Sequence, residues 1–143
     1  MTDKHDADGP ELQQESFPSV PVCWPALAKA ERQDRLKALT KWIDWLTRRY
    51  ALDHRTVPPC WAQHGALIEE LSALYTGWAS AYAVASSADR PLRWHADFAT
   101  ARKRLAEWVA RSGCRSGEHR EDPDQRGEVR PTHDASRGSE QAC

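Results

Sequence analysis

Three series of apolar residues at helical spacing constrain the fold of this chain more than any other feature. Leu36, Leu39, Ile43, Leu46 and Tyr50 follow one another at steps of 3, 4, 3 and 4 residues, which places them on one stripe of a helix. Leu67, Leu71, Leu74, Trp78, Ala81 and Ala85 repeat the pattern, and Trp94, Phe98, Ala101, Leu105 and Trp108 repeat it again. Pro25 suits a first helical turn, so the first helix is expected over about residues 26–51. The second should begin after Pro58-Pro59, and the third has Asp89 as its expected N-cap and Gly113 as the residue that ends it. No alternating stretch of useful strand length intervenes. Connections at about residues 52–59 and 85–89 are short enough to reverse the chain each time. The expectation is an all-α fold, an antiparallel three-helix bundle running up, down and up.

The large apolar groups set the limits of that bundle. All seven Trp, all three Tyr and Phe98 lie between residues 24 and 108, so the domain is placed at 22–119. Residues 1–21 and 120–143 are polar, charged and broken by Gly and Pro, and cannot bury enough surface to offset the entropy of ordering them. They read as a disordered acidic N-terminal tail and a disordered C-terminal tail. Trp42, Trp45 and Trp61 sit beside the stripes and widen the apolar faces. Core packing explains most of these rings; a groove or dimer surface built from surplus Trp is the second reading.

Charge and composition exclude several functions. The N-terminus is acidic and polar where a secretory leader would be basic and then apolar, and no apolar run approaches the length of a membrane span. The expectation is a cytoplasmic protein with no membrane association, whose four cysteines are thiols or metal ligands rather than disulfides. The formal net charge is −1, yet residues 22–114 hold 14 basic and 9 acidic side chains. That excess permits weak phosphate binding, with Lys37, Lys41, Arg48 and Arg49 on the first helix and Arg102, Lys103, Arg104 and Arg111 on the third. The three consecutive basic residues fan around their helix, and Asp44/Arg48 and Glu107/Arg111 are spaced to pair. Ordinary surface charge is therefore the plainer account. No nucleophile with a base and no phosphate loop is recognisable, and Glu69 and Glu70 point about 100° apart on a helix. Neither an enzymatic role nor a small-molecule substrate is expected.

One polar constellation stands out. Cys60 and His64 are spaced Cys-x3-His, and Cys114 and His119 are spaced Cys-x4-His. The first pair opens the second helix, the second follows the third helix, and antiparallel packing brings those ends together. Two thiolates and two imidazoles would complete a structural zinc site with no open position for catalysis. The departure from the usual Cys-x2-Cys and His-x3-His spacing weighs toward the plainer alternative, in which the cysteines are small buried hydrophobes and the histidines are solvated. His54 is an alternative to His119. At the opposite end Cys23 and His95 could approach each other, but two ligands do not make a site.

The run Cys60-Trp61-Ala62-Gln63-His64, followed by Leu71, Leu74 and Trp78, resembles the Cys-Trp-x-x-His…Leu-x-x-Leu-x3-Trp segment of an actinobacterial domain-of-unknown-function family. Trp42, Trp45 and Tyr50 before it, and Trp94, His95, Arg104 and Trp108 after it, are similar to the flanking parts of those proteins. The similarity covers about residues 22–119. It implies an accessory role on plasmids, prophages and integrative elements, and no reaction. The expected function is a non-enzymatic helical interaction or accessory protein of a mobile genetic element, which a structural zinc would stabilise if the Cys/His group binds one, with a protein partner or a second copy of itself as its candidate target. A DNA-associated protein that binds phosphate without sequence preference is the alternative.

Overall fold

The computed structural model describes residues 20–115 and 118–122; apart from residues 20–21 and 120–122, the expected tails lie outside them. Three α-helices organise the chain, α1 (Lys29–Arg49), α2 (Gly65–Ala81) and α3 (Arg90–Ser112), and the all-α class is the one that the apolar spacing predicts. Among the described residues the only strand-like pairing is a single bridge between Arg115 and Glu118.

The helix starts are set by proline. Pro25 opens a 3₁₀ turn, Trp24–Ala26, and two extended residues follow, so α1 begins at Lys29 rather than near residue 26. Pro58-Pro59 likewise leads into a 3₁₀ turn, Trp61–Gln63, and α2 begins at Gly65. Pro91 lies in the first turn of α3, where a missing N–H costs nothing. Asp89 precedes that helix but makes no capping hydrogen bond; it pairs instead with Arg93 at 3.2 Å. Gly113 ends α3 at φ +72°, the left-handed conformation expected of it.

The buried stripes follow the sequence pattern closely. Leu39, Ile43 and Leu46 of α1, Leu67, Leu71, Leu74, Trp78 and Ala81 of α2, and Trp94, Phe98, Ala101 and Leu105 of α3 are all buried. Leu36 and Tyr50 are partly buried against this core, and two further positions are exposed. Ala85 is exposed because α2 has already ended at Ala81. At the end of α3, Val109 takes the buried place and leaves Trp108 39% exposed, with the Arg111 guanidinium 5.2 Å from its ring. A step of 4 from Leu105 stays on the stripe here, where a step of 3 leaves it.

Aromatic rings fill the core. Trp24, Trp42, Trp61, Trp78 and Trp94 are buried and Trp45 is partly so, which favours the packing reading over a surface groove. Trp42, 1% exposed, stacks on Tyr75 at a centroid distance of 4.8 Å and 7° between planes. Trp45 meets Trp78 at 5.1 Å, and Trp94 donates its Nε1 hydrogen to the Leu74 carbonyl at 3.0 Å.

These contacts also fix the helix directions. Between α2 and α3, Leu74 meets Trp94 and Glu70 meets Arg104, so residue numbers rise along one helix as they fall along the other and the pair is antiparallel. Between α1 and α2, Trp42 meets Tyr75 and Trp45 meets Trp78, while Arg32 lines a cleft with Gly65 and Ile68. The offset is nearly constant, so α1 and α2 run in the same sense. This corrects the expected up-down-up order. The link from Tyr50 to His64 contains no α-helix, and about 14 residues can reach over 40 Å when extended, more than the roughly 26 Å length of α2. It therefore runs back along the bundle instead of turning tightly. Cys23 and His95 are separated in consequence: His95 bonds the Tyr50 hydroxyl at 2.9 Å beyond the end of α1, whereas Cys23 precedes its start.

Trp42 has the largest side chain among the fully buried residues. Trp42→Ala should lower the unfolding free energy by about 3–5 kcal/mol, whereas Leu92→Ala, at a side chain 75% exposed, should change it by less than about 0.5 kcal/mol. Urea unfolding of both variants checks the contrast.

Candidate metal centre

One end of the bundle gathers the start of α2, the end of α3 and the segment that follows it. The 3₁₀ turn before α2 is closed by backbone bonds from Trp61 N–H to the Pro58 carbonyl (3.0 Å) and from Gln63 N–H to the Cys60 carbonyl (2.9 Å). Buried Trp61 anchors it. His64 lies at the junction with α2 in an extended conformation, and its carbonyl accepts the Ile68 N–H at 3.1 Å. The side chain is thereby directed inward and is only 3% exposed. Cys60 and His64 do not open α2 itself, as the sequence suggested, but flank the 3₁₀ turn before it, which brings Cys60 Sγ to 3.5 Å from His64 Nε2.

The other half comes from the end of α3. Gly113 reverses the chain, the Ser112 hydroxyl donates to the Val109 carbonyl at 2.6 Å, and its oxygen accepts the Cys114 N–H at 3.2 Å. Arg115 and Glu118 then exchange two backbone hydrogen bonds of 2.9 Å, folding the following residues back. A Cβ on Gly113 would stand 3.0 Å from Arg120 Cδ, so the returning segment packs against the bare glycine. Gly113→Ala should accordingly cost about 1–2 kcal/mol for the left-handed backbone alone, measured as a loss of unfolding free energy.

The four residues singled out in the sequence meet here. Donor atoms of Cys60, His64, Cys114 and His119 all lie within 4.8 Å of one another, a set compatible with one metal ion. Cys114 Sγ is 3.3 Å from His64 Nε2 and 3.6 Å from His119 Nδ1. Bond lengths of about 2.3 Å to sulphur and 2.0–2.1 Å to nitrogen give a tetrahedral sulphur–nitrogen edge of about 3.6 Å. The three sulphur–nitrogen edges, at 3.3, 3.5 and 3.6 Å, lie close to it. His54 is exposed and is not part of the group.

Three partners could not be picked out from the sequence. Asp122 Oδ1 accepts a hydrogen bond from His64 Nδ1 at 2.7 Å, and the Arg120 N–H donates to Cys114 Sγ at 3.1 Å. Ser112 completes the set. Asp122 lies beside Glu121 in a segment expected to be an unstructured tail, where nothing distinguishes it from its acidic neighbours.

The two thiols differ electrostatically. Burial pushes Cys60 up to about 11, aided by its hydrogen bond with Cys114. Burial also acts upward on Cys114, but hydrogen bonding with the Arg120 backbone, Ser112 and Cys60, together with the polar contact to His64, outweighs it and brings that thiol down to about 6. Without metal, Cys114 is therefore the thiol of the pair that gives up its proton more readily. The thiolate is the reactive form, so iodoacetamide at pH 7 should label Cys114 well before Cys60 in metal-stripped protein, as peptide mapping would show. Equal labelling would contradict this asymmetry.

Cys23 departs from the thiol expectation: it is disulfide-bonded, and Cys60 and Cys114 are the free cysteines among the described residues. On the basic surface, Arg104 makes a two-pronged ion pair with Glu70 at 2.8 and 3.1 Å. Arg102 lies 5.8 Å from the Phe98 ring centroid. Arg48 bonds the Asp44 backbone carbonyl. No helix of the described residues is long and apolar enough to cross a membrane. Comparison with known protein families, curated proteins and solved structures finds no match.

Proposed function

We propose that Cys60, His64, Cys114 and His119 bind a structural zinc ion and that the chain is a non-enzymatic helical scaffold acting as an interaction or accessory module. The convergence of four donors from two distant stretches carries the reading. Two sulphurs and two nitrogens suit zinc better than magnesium or calcium, which prefer oxygen. Four protein ligands fill a tetrahedral shell and leave no position for a substrate, which supports a scaffold over a metalloenzyme. The site joins the turn before α2 to the residues after α3, so a metal there would clamp α2 to α3 and hold the segment up to Asp122. A partner protein or a second copy of the chain is the binding target that this reading implies. The setting on a mobile genetic element comes from the sequence resemblance and is part of the proposal.

Elemental analysis of the full chain, purified under reducing conditions without chelator, should find about one zinc per molecule. Free zinc at a thousand times its Kd stabilises the bound state by about 4 kcal/mol, equivalent to a melting shift of roughly 15 °C or more for a domain of about 100 residues. Chelation should remove that shift, and Cys60→Ser should show a lowered melting point with little further response. Protein that carries no metal and melts identically with and without zinc would refute the reading.

A further inference from the structure

Residues 119–122 reach the rest of the site at three points. His119 supplies a donor nitrogen, the Arg120 N–H meets the Cys114 sulphur at 3.1 Å, and the Asp122 carboxylate meets His64 Nδ1 at 2.7 Å. His64 is 3% exposed and Asp122 30%, so this bond joins a buried imidazole to a carboxylate at the edge of solvent. An imidazole has two nitrogens, and only one can offer a lone pair while the other carries hydrogen. A carboxylate accepts and does not donate, so its contact assigns the hydrogen to Nδ1. In the neutral ring Nε2, which faces Cys60 Sγ at 3.5 Å and Cys114 Sγ at 3.3 Å, then carries the lone pair that a metal requires.

We infer that Asp122 is the positioning residue of this centre, holding the His64 ring with Nδ1–H outward and Nε2 toward the two sulphurs. The inference rests on the metal reading above and deepens it. A carboxylate in that place fixes ring orientation and tautomer together and raises the basicity of the coordinating nitrogen. It also explains how a histidine can be this deeply buried beside a thiol pair, since both ring nitrogens have partners. Residues 119–122 then form a clasp with one ligand, one N–H to a thiolate and one carboxylate to the other imidazole.

The test uses the full chain and three variants, Asp122→Asn, Asp122→Glu and Glu118→Gln, with zinc affinity read by competition against a chromophoric chelator. The His64 ring is followed by its ¹⁵N shifts. Asp122→Asn should weaken zinc binding on the order of 10–100-fold and disturb the Nδ1–H signature. Asp122→Glu should recover part of the affinity, and Glu118→Gln, which removes the same charge elsewhere in the segment, should leave it unchanged. If wild type binds zinc and Asp122→Asn binds it equally with an unchanged ring signature, the positioning role is overturned while the centre stands. Equal losses in Asp122→Asn and Glu118→Gln would reduce the effect to general charge and also overturn it. Wild type that binds no zinc would instead overturn the metal reading itself.

Discussion

His64 occupies a place where each of its ring nitrogens must find a partner, because a polar group taken out of water without one costs more than most single contacts can return. Nδ1 has Asp122 and Nε2 has the sulphurs of Cys60 and Cys114. Those three partners come from different parts of the chain: the turn before α2, the residue after Gly113, and the segment that folds back beyond it. One buried imidazole thus ties together the end of the bundle that has the fewest large rings. The opposite end needs no such tie, because Tyr50, Trp94 and Phe98 pack there ring against ring.

The two ends depend on each other through helix direction. Because α2 and α3 are antiparallel and share the Trp94 to Leu74 hydrogen bond, the start of α2 must meet the end of α3. The aromatic core therefore brings the stretches that carry Cys60 and Cys114 together through helix packing alone. A site prepared in this way loses less entropy on binding than one assembled from a free loop. The His119–Asp122 segment lacks a helix of its own and meets the site through His119, the Arg120 N–H and the Asp122 carboxylate.

Much of this was legible in the sequence, for definite reasons. Burial on one face leaves a period of 3.6 residues, so the stripes of all three helices could be read, and Gly113 could be placed because its left-handed backbone suits glycine. The four donors could be named because thiols and imidazoles are few and the helix ends were known. The direction of α1 could not be read. It turns on whether the link after Tyr50 doubles back tightly or runs the length of the bundle, and two prolines followed by a 3₁₀ turn leave no periodic signal to decide. Nor could Asp122, whose role comes from a fold-back after α3 that rests on backbone bonds and on the absence of a side chain at Gly113. The plainer reading of the cysteines as isolated hydrophobes does not describe Cys60 and Cys114, whose sulphurs face His64 and not only apolar neighbours.

The central claim is that two sulphurs and two imidazole nitrogens share one ion. X-ray absorption at the zinc edge, on protein loaded with one equivalent, addresses the ligand set directly. The account predicts two sulphur neighbours at about 2.3 Å and two nitrogen neighbours at about 2.0–2.1 Å, with the imidazole scattering pattern reduced in His119→Ala and one sulphur lost in Cys114→Ser. A shell of light atoms alone, or a spectrum untouched by either substitution, would contradict it.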